Sequence, residues 1–188
     1  MGFYCDYARD DELHGPYHDQ EYGFPETDES RLFERLMLEV NQAGLNWALI
    51  LKKRGTICAA YDLFEVDRVA AYSEADRARL LADAGIVRNR LKVNAAIENA
   101  RALQGLRASH GGFAAWLASH HPLEKEEWVR LFKRTFRFTG GEITGEFLRG
   151  IGYLAGAHRE DCPTFKKIAR HAPPWMAQAP SAPSESPE

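Results

Sequence analysis

The sequence predicts an all-α protein, on three observations. Apolar residues recur at helical spacing in segment after segment, as in Leu32, Phe33, Leu36 and Val40, or Ile143, Phe147, Ile151 and Leu154. Helix-starting or helix-stopping residues bound these segments, among them Thr27-Asp28-Glu29, Gly44, Gly85, Gly111-Gly112 and Gly140-Gly141. No stretch shows sustained alternation flanked by hairpin turns.

Taken in order, residues 1–26 are rich in Asp, Gly, Pro and Tyr and read as an ordered but irregular arm. Thr27-Asp28-Glu29 supplies small capping side chains and then an acid, which suits the positive end of a helix. That helix runs to Gly44, and Trp47, Ile50 and Leu51 open the next apolar face. Ser73-Glu74-Ala75-Asp76 approximates a capping box and starts a helix through Leu80 and Leu81 to Gly85. Ile86 to Leu103 is a further helical pattern with Leu91, Ile97 and Ala100 spaced for burial. Trp116 and Leu117 belong to a short helix. Pro122 allows another start that carries Trp128, Leu131 and Phe132, and a last helix runs from Ile143 to Leu154. From Pro173 the chain is rich in Pro, Ala and Ser, and disorder is expected after Trp175. The domain expected is therefore 1–172, with a helical core of about 27–145, a lobe formed by 1–26 and 146–172, and a flexible tail over 173–188.

At 188 residues the chain can bury a real core. No apolar run approaches the roughly 20 residues that span a membrane, and the acidic start MGFYCDYARDDE is unlike a secretory signal. Three cysteines, Cys5, Cys58 and Cys162, cannot all pair, which fits a reducing compartment. A cytoplasmic monomer with no membrane or protein partner is the expectation. The formal net charge of −3 argues against a polyanion partner, but the distribution matters more. Residues 85–137 carry ten Lys or Arg against four Glu, enough for a local polyanion site.

The stretch Glu39–Arg54, EVNQAGLNWALILKKR, sets a carboxylate, a turn containing Gln42, Gly44 and Leu45, and the indole of Trp47 around one corner. Such a corner can hold a planar ligand by stacking and by hydrogen bonds to its polar edge. A plain helix hairpin with a core tryptophan and a solvated Lys-Lys-Arg face explains the same residues. Tyr17 and Tyr22 in the arm can offer a hydroxyl and a ring to a ligand, or pack the arm on the core. His158 and Cys162, four apart, would share one face of a helix and bind one metal. Cys5 and His18 form a second pair, and the four together would close a tetrahedral, structural zinc shell. Cys5 and Cys162 as small buried hydrophobes is an equal alternative. Leu80–Lys92, LLADAGIVRNRLK, reads as helix, glycine turn, then a helix bearing Arg88, Arg90 and Lys92. Free amides at such a helix start can grip phosphates without reading sequence.

In combination these motifs are far more specific than singly. The order YHDxEYGxP, LFExLxLExxQAGLxWxxILKKR, DAGIxRNRxK and a late His-x3-Cys resembles the 3-methyladenine DNA glycosylase I family, from about Cys5 to Cys162. The resemblance implies a helix-hairpin-helix glycosylase fold with a structural zinc at Cys5, His18, His158 and Cys162, joining the N- and C-terminal segments. It implies that Glu39 and Tyr17 hydrogen-bond an extruded base, that Trp47 stacks on it, and that Tyr7, Tyr22 and Asn46 adjoin it. Gln42, Gly44 and Leu45 would fill the gap in the duplex, while Lys53, Gly85, Arg88, Arg90 and Lys92 would hold the backbone. The partner implied is double-stranded DNA containing alkylated bases. The activity implied is monofunctional hydrolysis of the N-glycosidic bond of alkylated purines, 3-methyladenine first, with an anionic Glu39 facing the cationic base.

Several positions depart from the family pattern. Tyr7 and Tyr22 replace tryptophans, and Asn46 replaces the serine before Trp47. EITGEFLRGIGYLAGAH puts Glu142, Gly145 and Arg149 where Thr, Tyr and Gln are usual, with one extra residue before His158. A smaller or differently walled pocket follows, so a non-catalytic or altered-specificity damage binder on the same scaffold is the alternative. A zinc-stapled helical protein without a DNA role is a third reading, distinguished by the absence of salt-dependent DNA binding.

Overall fold

Burial is greatest around one helix, Glu29–Gln42, whose Leu32, Phe33, Leu36, Met37, Leu38 and Val40 are closed to solvent. The computed structural model describes residues 4–177, and among these it contains helices and turns but no strand. In chain order the helices are α1 (Cys5–Ala8), α2 (Gly15–Gln20), α3 (Glu29–Gln42), α4 (Trp47–Ala60), α5 (Val66–Ala70), α6 (Glu74–Ala82), α7 (Arg90–His110), α8 (Phe113–His120), α9 (Lys125–Thr135), α10 (Gly141–Gly150) and α11 (Pro163–Ala169). The all-α reading is therefore met. Helix α3 is amphipathic in sequence, yet from Arg35 to Asn41 every residue is buried, Arg35, Glu39 and Asn41 included, and it packs against α4, α7, α8 and α10.

Local chemistry explains most boundaries. Asp28 Oδ1 accepts from Arg31 N at 2.9 Å and starts α3, and Ser73 and Asp76 form the capping box of α6. Ala43 (φ −50°, ψ 117°) and Gly44 (φ 78°) make a type II turn after α3, closed by Leu45 N donating to Gln42 O at 2.6 Å. Nothing lies within 4 Å of a Cβ added to Gly44, so backbone conformation alone calls for glycine there.

Other boundaries differ from expectation. The helix expected over Ile86–Leu103 is α7, which starts at Arg90 because Asn89 Oδ1 accepts from Leu91 N and Lys92 N. It continues to His110 and stops at Gly111, whose φ of 84° suits glycine. Helix α10 ends at Gly150 and does not reach Leu154; Tyr153 N and Leu154 N both turn back to Leu148 O. The arm is less irregular than expected, since it contains α1 and α2. His158 and Cys162 do not share a helix: Cys162 N donates to Arg159 O in a turn, and Cys162 caps α11.

The boundary expected at residue 172 falls inside a packed segment, because Trp175 N donates to Gly152 O at 3.1 Å. The disorder expected further along the tail concerns residues outside the described ones. No helix among the described residues is long and apolar enough to cross a membrane.

Two arginines bind the arm to this core. Arg35 donates to Gly150 O and Glu21 O at 3.0 and 2.9 Å. Arg54 grips both carboxylate oxygens of Glu21 and reaches Glu34. The arm and α10 thus meet over the C-terminal end of α3.

Candidate active site and metal-binding group

A cavity of about 950 Å³ opens where the arm, the end of α3, the Gln42–Leu45 turn, Trp47 and the start of α10 come together. Tyr4, Tyr7, Tyr17, Tyr22 and Trp47 form its aromatic wall. Tyr17 and Trp47 lie 5.1 Å apart between ring centroids, tilted by 57°. Gly150 lies against both tyrosines: a Cβ there would stand 3.6 Å from the Tyr17 hydroxyl and 3.7 Å from the Tyr22 ring, in ordinary contact.

Glu39 reaches this cavity from the last turns of α3. It is only 6 % exposed, and among the described residues nothing hydrogen-bonds its carboxyl. Buried polar groups are nearly always partnered, so a buried carboxyl left open toward a cavity marks a place for a ligand. Burial pushes it up to about 8, with the Glu146 carboxylate adding to the shift and the Arg35 guanidinium opposing it. At neutral pH the empty pocket therefore holds a protonated Glu39. The anionic form expected from the sequence is thus disfavoured in the empty pocket.

Glu146 was not foreseen as a pocket residue. Its Oε2 accepts from the Tyr22 hydroxyl at 2.9 Å, and its Oε1 pairs with Arg149. The readable signal was its position one helical turn after Glu142, which also lines the cavity. Tyr4 was likewise missed as a wall residue; its hydroxyl hydrogen-bonds His14 Nδ1 at 3.0 Å.

Of the expected pocket residues, Glu39, Tyr17, Trp47, Tyr7 and Tyr22 are brought together, with Gln42, Gly44 and Leu45 on the rim. Asn46 is not among them. Its Oδ1 accepts from Leu49 N at 2.8 Å, so it caps α4 instead of lining the base pocket.

The hairpin between α6 and α7 needs more correction. Gly85 N donates to Asp83 Oδ1 and Gly85 O accepts from Thr56 Oγ1, so this amide is not free for a phosphate. Glycine is required there by crowding, since a Cβ would stand 2.9 Å from Asp83 Oδ1 and 3.2 Å from Thr56 Cβ. Lys53 Nζ donates to Ala84 O at 2.8 Å and steadies the same loop. Arg88 and Arg90 are exposed, and among the described residues neither forms an ion pair.

Lys92 is buried. Its Nζ donates to Asn41 O and Ala43 O at 2.8 and 2.6 Å, closing the negative end of α3. Lys92 therefore positions the Gln42–Leu45 turn and does not face a phosphate. Lys92→Met should lower Tm by about 4–8 °C, since two carbonyls lose their donor. The slope of log affinity for plain duplex against log salt should stay unchanged; a slope smaller by about one would mean that Lys92 does touch a phosphate.

Beside the cavity lies a second constellation. Cys5, His18, His158 and Cys162 are all buried, and their donor atoms lie within 4.8 Å of one another. The outer ring nitrogens are held: His18 Nδ1 by Asp19 Oδ1 and His158 Nε2 by Tyr22 O, each at 2.7 Å. This leaves His18 Nε2 and His158 Nδ1 aimed inward with the two sulfurs. A group of this composition can hold a metal ion. It adjoins the pocket wall, because His18 follows Tyr17 and His158 bonds the Tyr22 carbonyl.

An aromatic pocket with a buried acid, beside a leucine-tipped turn and an arginine-bearing hairpin, defines a helical protein suited to holding a flat ligand with a polar edge. Within that class, the chain belongs to the methyladenine glycosylase family, whose family model matches residues 7–130. It is similar to DNA-3-methyladenine glycosylase 1 of Escherichia coli (strain K12), 36% identical in an alignment 177 residues long that covers 84% of this chain and 94% of the relative. A crystal structure of 3-methyladenine DNA glycosylase I superposes with a TM-score of 0.76 at 34% identity, covering 85% of this chain and 97% of the other. The Staphylococcus aureus 3-methyladenine DNA glycosylase I, solved to define 3-methyladenine recognition, gives 0.76 at 28% identity over 85% and 95% of the two chains.

Proposed function

We propose that this protein is a monofunctional DNA glycosylase of base-excision repair that hydrolyses the N-glycosidic bond of alkylated purines, 3-methyladenine foremost, in double-stranded DNA. The observation that carries this reading is the unpartnered Glu39 carboxyl, buried at the aromatic cavity. Alkylation at N3 puts positive charge on adenine and weakens its bond to the sugar. Catalysis then needs the cation held and water admitted to the sugar, with little demand for a strong acid. Glu39, losing its proton as the cation enters, stabilises the base electrostatically. Trp47 and the tyrosines offer π faces to the same charge, and the Tyr17 hydroxyl is placed to bond the polar edge.

In this reading the Gln42–Leu45 turn enters the duplex and Leu45 occupies the space the base leaves. Base extrusion costs a few kcal/mol, least at damaged sites, which favours lesions over normal bases. Arg88 and Arg90, with the free Val87 and Arg88 amides, would hold the backbone. The chain works as a monomer in the cytoplasm.

The metal is zinc, in a closed and structural role. Zinc bonds of about 2.3 Å to sulfur and about 2.0–2.1 Å to nitrogen place S and N ligands about 3.6 Å apart in a tetrahedron. Three of the four S–N separations here are 3.5, 3.7 and 3.8 Å, which supports that fit. Zinc at this position would pin residues 5–18 to residues 158–162 and so brace the tyrosine wall.

Base release from methylated duplex DNA, resolved by chromatography, tests the activity. Free 3-methyladenine is the expected product. Release of another base would mean that the Tyr22–Glu146–Arg149 wall has retuned specificity. Binding without release would support the non-catalytic reading.

A further inference from the structure

Among the described residues the exposed large apolar side chains are Tyr7, Leu45, Leu63, Leu91 and Phe138. Tyr7 and Leu45 line the cavity. Phe138 has no part in the site as described so far, yet its backbone is strained: φ is 62°, where a Cβ crowds the neighbouring carbonyl. The ring is 38 % exposed, so burial does not explain why a phenylalanine stands where glycine would be relaxed. Strain of this kind persists where the surrounding structure over-determines the conformation.

The surroundings do hold it. The buried Asn99 clamps the preceding residue from both sides: its Oδ1 accepts from Arg137 N at 2.7 Å, and its Nδ2 donates to Arg137 O at 3.2 Å. Two residues after Phe138, Gly140 and Gly141 line the base cavity. Lys92 Nζ lies 6.0 Å from the centroid of the Phe138 ring. The same ammonium bonds Ala43 O in the turn that carries Leu45. Phe138 and the turn that carries Leu45 thus meet the same fixed cation, beside the cavity-lining Gly140 and Gly141, and both Phe138 and Leu45 are exposed.

We propose that Phe138 is a second wedge, whose ring stacks on the exposed face of a base pair beside the gap in duplex DNA while Leu45 occupies the gap. This rests on the reading that the Gln42–Leu45 turn enters the duplex. A flat ring is suited to a task that an aliphatic tip is not, because every base offers a π face. The Asn99 clamp and the left-handed backbone at residue 138 fix the direction of the ring before DNA arrives, so no order has to be created on binding.

The test measures affinity of the full-length protein for a duplex carrying a tetrahydrofuran abasic analogue with 2-aminopurine as its neighbour, against the same duplex intact. Phe138→Gly removes the ring and relieves the backbone, so Tm should hold or rise. Its affinity for the abasic duplex should fall about tenfold, the low end for loss of one base–aromatic stack, with little change on intact duplex. The 2-aminopurine emission should differ between the two complexes. Phe138→Tyr should restore binding. Leu63→Gly relieves a comparable strain, φ 56° at an exposed leucine away from the cavity, and should change nothing.

Wild-type affinity in Phe138→Gly, alongside loss in Leu45→Ala, would overturn the wedge while leaving the turn reading intact. A wild type with no preference for the abasic duplex would overturn the turn reading itself. Should Phe138→Gly melt early, Phe138→Leu supplies the decision: it keeps apolar bulk without a flat face, and wild-type affinity in it overturns the stacking role.

Discussion

Glu39→Gln is expected to lower base release about 100-fold or more while leaving affinity for undamaged duplex unchanged. The amide nearly matches the carboxyl in size but cannot become an anion, so the cationic base loses its counter-charge in a site from which water is largely excluded. Loss of one such group costs about 10²–10³ in rate, or about 3–4 kcal/mol. Release at the wild-type rate would mean that the pocket holds the base in some other way.

The same substitution should stabilise the empty protein at alkaline pH. In the unfolded chain Glu39 ionises near 4.5, whereas in the folded pocket burial holds the proton to about 8. Below the first value both states are neutral there and the burial costs nothing extra. Between the two values only the unfolded state gives up its proton, so the native state loses ground as pH rises through the folded value. Burial is the main cause of this shift; the groups facing the carboxyl are Glu146, which adds to it, Arg35, which opposes it, and the buried Tyr17 hydroxyl. Glutamine cannot ionise, so the Tm advantage of Glu39→Gln should grow from pH 6 to pH 9. A difference that stays flat across that range would mean Glu39 is ionised and solvated in the empty pocket.

Cys162→Ser should release the zinc and lower Tm by about 10 °C or more, because a structural metal site contributes folding free energy directly. Metal analysis of the purified wild type should give one zinc per chain. Base release should fall as well, at temperatures where the variant is still folded, because Tyr17 is fixed through His18 and Tyr22 through the His158 ring. A metal-free wild type that melts as the variant does would remove the zinc assignment.

Much of this architecture was legible before any coordinates. Helix starts at Asp28 and Ser73 and the glycine turn at Gly44 follow from chemistry contained within four or five consecutive residues. So does the type II turn that lifts Leu45. The pairing of Cys5 and His18 with His158 and Cys162 was readable as composition and through resemblance. Its mechanism was not, since a helix was expected where a turn and a capping cysteine occur.

Other features were hidden for a common reason. Lys92 looked like a phosphate contact because its neighbours Arg88 and Arg90 are exposed cations, yet one helical turn carries it under the end of α3. Asn46 looked like a pocket residue because Trp47 is one, yet its own amide is used to start the helix. Phe138 carries no local signature, and Glu146 only its place one helical turn after Glu142; what distinguishes them is the company of Tyr22, Arg149, Lys92 and Asn99.

The sequence by itself determined the helices and most of their caps; only its resemblance to a family pointed to the Cys/His group and to the acid that faces the pocket. Only the tertiary structure decided which cations stay free and whether that acid carries its proton. Caps and turns are settled by neighbours along the chain, within reach of short hydrogen bonds. Charge state and accessibility are settled by burial and by groups such as Glu146 that arrive from distant segments, and no local pattern records who those neighbours will be.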